Sequence, residues 1–239
     1  MARHTSETWA FSARTVLAAA LAGALFATAP RAEPTLCPAP DPAAVAAISV
    51  DAPDPALVER ICRVAQTAVE ELAACNVVVA RPVTIRINDD LPPGCVGQYH
   101  CGEGLIEVLS PEFLKERELY DSAFHQLDPK AYFDSIITHE LTHAAYDNTF
   151  CPFGTCPVTA EFLAYSMQVR SLSEADRLRF LDGMPRTRVE TPADLALVLM
   201  MAPGKFAQLA WEFYSRPGKG CDYVGKVMAG DVLLDFYLP

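Results

Sequence analysis

No two of the eight cysteines in this chain stand in Cys-x-x-Cys spacing, so the usual signature of a cysteine-ligated zinc site is missing. There is no internal repeat and no low-complexity tract, which sets aside solenoids and disordered tails. Positive charge is scarce: 19 Lys and Arg face 30 Asp and Glu, a formal net charge of -11. A surface of that sign repels nucleic acid and anionic lipid, so neither is expected as a partner. The longest apolar run, 16–29, has 14 residues, short of the roughly 20 that span a bilayer. What the chain does have is 51% hydrophobic and 21% charged residues over 239 positions. That is enough for one packed domain and too little for two.

The apolar run follows Arg3 and Arg14 and leads into small residues ending near Ala32, the pattern of a secretory signal peptide over residues 1–32. Without that segment, 16 basic residues remain against 29 acidic ones. No cysteine directly follows the run, so the expected product is periplasmic or secreted, with no stable membrane insertion once the signal is removed. All eight cysteines (Cys37, Cys62, Cys75, Cys95, Cys101, Cys151, Cys156, Cys221) lie beyond it. An even number in an oxidising compartment implies up to four disulfides. Cys95 with Cys101, and Cys151 with Cys156, could each close a small loop, but spacing does not choose the pairing.

Residues 33–54, rich in Pro, Ala and Asp, read as an extended leader with a candidate first strand at 48–50. From 55 to 75 the apolar residues recur at helical spacing. Residues 77–87 are rich in β-branched side chains and alternate at the end, which predicts a half-buried strand closed by the Pro-Pro-Gly at 92–94. Residues 97–101 and 105–109 flank a Gly-rich turn and read as a hairpin. Asp128-Pro129 starts a helix running to about Asp147. A loop with Pro, Gly and Cys at 148–157 leads to a second helix over about 158–171. The remainder reads mainly helical, with segments at 193–201, 205–214 and 222–228 broken at Pro203-Gly204 and Pro217-Gly218.

The first of these two helices holds His139-Glu140-Leu141-Thr142-His143. Positions four apart on an α-helix project from nearly one face, one turn apart, so both imidazoles can chelate one ion. A catalytic zinc takes three protein ligands and keeps one position open. A third histidine six residues on, as in metzincins, is excluded because Tyr146 and Thr149 stand where the glycine and histidine would be. Asp147 shares the helical face but lies too far along the axis to join both histidines readily, and a capping or outer role suits it better. Glu161, on the following helix, is the preferred third ligand.

His139-Glu140-x-x-His143 followed after 18 positions by Glu161-Phe162-Leu163-Ala164 resembles the gluzincin metallopeptidases, the thermolysin and aminopeptidase group. The resemblance covers about residues 80–170. It implies an α+β fold, zincin-like, with a small mixed sheet and an edge hairpin over the active-site helix, then a Glu-bearing helix and a mainly helical C-terminal half. Residues 33–239 would form this single domain. It implies Zn2+ on His139, His143 and Glu161, a water made acidic by the metal, and Glu140 as general base for hydrolysis of a peptide or protein substrate. The Gly-x-Met-Glu-Asn motif of the aminopeptidases is absent, which points to an endopeptidase. Where thermolysin-like enzymes place an acid one turn after the ligand glutamate, this chain has Tyr165. Tyr165 is taken as the oxyanion donor, with Tyr99, His100 and Tyr223 as alternatives. His125 reads as a surface or capping histidine. Asp134 reads as a solvated acid that could instead fix a ligand histidine's tautomer. The strand edge near 99–109 could pair with an extended substrate or lie covered. The rival reading is a catalytically silent, zinc-binding envelope protein acting through protein contacts. The sequence leaves the oligomeric state open.

Overall fold

A computed structural model describes residues 33–38, 46–117, 122–186 and 188–236; the expected signal segment, 1–32, lies outside them. Proline opens most of the helices, at the position where a helix has no use for the missing N–H. Asp54 caps α1 (Pro55–Ala73), accepting from the Ala56 amide at 3.1 Å. Ser110 caps α2 (Pro111–Glu116), and a short 3-10 helix follows at Ala123–Gln126. Asp128 caps α3 (Pro129–Tyr146) through the Lys130 amide at 2.9 Å. Beyond it come α4 (Pro157–Ser171), α5 (Glu174–Phe180), α6 (Pro192–Met201), α7 (Pro203–Tyr214) and α8 (Cys221–Met228). The fold is α+β, as the resemblance implies.

The strands are β1 (Thr35–Leu36), β2 (Ile48–Asp51), β3 (Val83–Ile87), β4 (Gly97–His100) and β5 (Leu105–Val108), in the order β1-β2-β3-β5-β4. β2, β3 and β5 run parallel, while β1 and the edge strand β4 are antiparallel to their neighbours. Registration puts Val50, Ile85 and Ile106 in one buried row. The alternate row carries Asp51, Arg86 and Glu107, with Arg86 paired to Asp51 at 3.0 Å and to Glu107 at 3.7 Å. One face thus packs on helices and the other carries charge, as strict alternation requires. The segment expected as an extended leader contributes β1 and β2 to this sheet, and Cys37 ties it to Cys62 of α1.

The predicted hairpin forms as β4 and β5. Gly104 in its turn has φ of 63°, and a Cβ there would stand 2.5 Å from the Pro82 carbonyl oxygen. Of the predicted strand 77–87, only 83–87 joins the sheet. Val77 and Val79 are buried without pairing, and Pro82, which has no N–H to donate, precedes the first ladder residue.

α3 is buried on nearly every side, with Phe133, Ile137 and Leu141 fully enclosed. α1 and α4 pack along it, and β4 and β5 lie across it. Cys75–Cys221 joins the end of α1 to α8, and Cys151–Cys156 staples the loop before α4. Cys95 and Cys101 are free thiols, so the small loop considered for them is not closed. The four-residue strand between them spans about 13 Å, beyond the reach of a disulfide. No described helix is long and apolar enough to cross a membrane.

Candidate metal centre

His139 and His143 lie one turn apart on α3, with ring centroids 4.8 Å apart. Their Nε2 atoms approach to 3.0 Å. Glu161, from the first turns of α4, brings one carboxylate oxygen to 3.7 Å from His139 Nε2 and the other to 3.5 Å from His143 Nε2. The three donor groups lie within 4.8 Å of one another. Ligands placed tetrahedrally at about 2.0–2.2 Å from an ion stand about 3.3–3.6 Å apart, so the cluster has the span of a three-ligand metal site.

α4 runs antiparallel to α3, since Glu161 meets His143 while Gln168, two turns on, meets His139. Glu161, Tyr165 and Gln168 therefore form one stripe, at i, i+4 and i+7, facing the histidines. Tyr165 sets its ring edge-on against His139, with centroids 4.5 Å apart. Burial raises its phenol pKa, and Glu161 and Glu140 raise it further, so it stays a donor near neutral pH. Gln168 Oε1 lies 3.0 Å from His139 Nδ1. Sequence reading missed this residue. Its i+7 offset from Glu161 was the available signal, but a lone glutamine carries no chemistry that singles it out.

Burial drives the His139 pKa well below its ordinary value and the His143 pKa down to about 4. Both rings are thus neutral, the form that binds metal. Burial also pushes Glu161 up to about 7, although 30% of its side chain remains exposed. Glu140 is pushed to about 8, by burial first and then by Glu161, while a hydrogen bond from the Tyr99 amide pulls the other way. These are the values of carboxylates without a cation beside them.

Glu140 packs against the edge strand. A Cβ on Gly97 would stand 2.6 Å from Glu140 Oε1 and 2.8 Å from Ile136 Cγ2, so only glycine lets β4 and the carboxylate approach this closely. Both line a cleft of about 1050 Å³ that also exposes His139, His143, Glu161, Tyr165, Tyr99 and Asp147.

The remaining residues take other places. Asp147 is the C-cap of α3, not a ligand, and accepts from Tyr99 Oη and the Gly102 amide, each at 3.1 Å. Burial and Asp147 push the Tyr99 phenol to about 12. His100 points to Glu107 at 2.9 Å, and Tyr223 packs on Phe162 and Phe213; neither lines the cleft. His125 belongs to the 3-10 helix. Asp134 does not touch His139 or His143: Arg60 claims its carboxylate at 2.9 Å, and the side chain beside His139 Nδ1 is Gln168.

Residues 48–237 match the model of a family described as "Family of unknown function (DUF6639)". No curated protein and no solved structure matches the chain. The chain belongs to the DUF6639 family.

Proposed function

We propose that this member of the DUF6639 family is a zinc-dependent endopeptidase, exported to the periplasm or the outside by a signal peptide over residues 1–32. The observation that carries the reading is the convergence of His139, His143 and Glu161 at one point, with Glu140 beside them in the same cleft. Two neutral imidazoles and one carboxylate are a donor set that suits zinc and leaves one position free. The three disulfides fit an oxidising compartment.

Zinc on these ligands would supply Lewis acidity to a substrate carbonyl and a water. Glu140, fixed between the cleft and Gly97, accepts the proton of the attacking water and passes it to the leaving amine. Tyr165 offers its O–H to the oxygen that gains charge. Gly97–Tyr99, at the sheet edge, lies along the cleft and offers backbone groups to an extended peptide. Among the described residues the lining carries Glu140, Asp147 and Glu161 and no Lys or Arg, so acidic side chains next to the scissile bond should be disfavoured.

The test is metal analysis joined to hydrolysis of unfolded protein substrates. Wild-type protein should hold about one zinc per chain. Glu140→Gln should keep the zinc and lose hydrolysis by at least about 10²-fold. Protein that takes up no metal overturns the reading. Equal inertness of wild type and Glu140→Gln across broad peptide libraries favours the silent zinc-binding alternative.

A further inference from the structure

Gln168 sits between two residues of α3, and the protons around it can be placed in only one way. The Tyr132 carbonyl can only accept, and Ser135 Oγ lies 2.8 Å from it, so the single hydroxyl proton of Ser135 is spent there. Ser135 therefore meets Gln168 with lone pairs alone, and the 3.1 Å contact between them must be an N–H of Gln168 donating. That orientation turns Oε1, an acceptor, towards His139 Nδ1 at 3.0 Å. The flipped amide would set a carbonyl against a serine oxygen with no proton left to give. An acceptor at Nδ1 requires Nδ1 to carry the ring proton, and a neutral imidazole has only one. Nε2 keeps its lone pair, aimed at His143 and Glu161.

We propose that Gln168 is a positioning residue that fixes His139 as its Nδ1–H tautomer, through a relay from the Tyr132 carbonyl, Ser135 and the amide itself. Ser135 and Gln168 are each 2% exposed, so water does not stand in for either. The relay is neutral throughout. A carboxylate at this position would add a third acid beside Glu140 and Glu161, whereas the amide orients the ring and adds no charge. The inference rests on the metal-centre reading for its purpose but not for its geometry, because the tautomer exists before any ion binds.

The test is 15N-resolved NMR of the histidine ring nitrogens in metal-free protein, with metal affinity measured by chelator competition. Wild type should show His139 protonated at Nδ1. Gln168→Leu, which fills similar space but accepts nothing, should shift His139 towards Nε2–H and weaken metal binding about 10–100-fold. Gln168→Glu, which accepts again, should restore the Nδ1–H form and metal retention; loss of packing alone would not produce that rescue. Should Gln168→Leu fail to fold, Ser135→Ala frees the amide to flip and should mix the two tautomers. His139 protonated at Nε2 in wild type, or a tautomer and affinity unmoved in the folded variants, overturns the proposal. A chain that shows the Nδ1–H form yet takes up no metal sinks the metal reading and leaves the relay intact.

Discussion

At the scale of single residues, Gly97 is where one added carbon should cost most. Its Cβ would meet both Glu140 and Ile136 inside contact distance, so Gly97→Ala should push the carboxylate aside while leaving the three ligands untouched. The expected outcome is a loss of hydrolysis on the order of 10²-fold with metal content unchanged, read from kcat and zinc stoichiometry. Titration gives a second outcome. Glu140 and Glu161 have folded values near 8 and 7 against an ordinary 4.5, so their contribution to metal-free stability is full below about 4.5 and lost as pH rises through 7 to 8. The histidines act oppositely: their folded values lie below 6.5, so their contribution is lost as pH falls from 6.5 towards 4. Metal-free protein should melt at progressively lower temperature from pH 6.5 to pH 8. Bound metal favours the deprotonated ligands, so the gap between loaded and metal-free melting temperatures should widen over that range. A gap that narrows would count against the site. His139 and His143 were legible because their four-residue spacing forces one helical face, and Glu140 because it stands next to the first of them in the same short motif. Gln168 was not, because nothing marks a glutamine until its neighbours are known.

At the scale of elements, the helix that carries Glu161 is held from outside itself. Cys156 gives α4 no side-chain cap. Asp235, near the far end of the chain, instead accepts from the Val158 and Thr159 amides at 2.9 Å each and from Thr159 Oγ1 at 2.6 Å. A buried carboxylate at a helix N-terminus satisfies free amides and meets the positive end of the dipole. Asp235→Ala should therefore cost about 2–3 kcal/mol, seen as a lower denaturant midpoint with an unchanged slope. It should also weaken metal retention, because Glu161 lies within the first turns of that helix. The positions of both site helices were readable from proline, acid and apolar spacing. The cap was not, since 76 residues separate Thr159 from Asp235.

At the scale of the molecule, Cys75–Cys221 closes the longest covalent loop, with a sequence separation of 146. Replacing both cysteines by alanine should lower stability by about 2–5 kcal/mol, measured by thermal melting in non-reducing buffer. The free pair, Cys95 and Cys101, should react with a thiol reagent in the folded protein, with Cys101 ahead because it is exposed and Cys95 is half-buried.

The sequence by itself determined the two site helices, the hairpin and the identity of the three ligand candidates. These follow from local rules of period, capping and turn chemistry, which act within a few residues. Only the tertiary structure decided that β4 lies on Glu140, that Gln168 orients His139, that Asp235 caps α4, and that Cys95 and Cys101 stay apart. Each of those depends on where distant segments meet, and that is set by how the whole core packs.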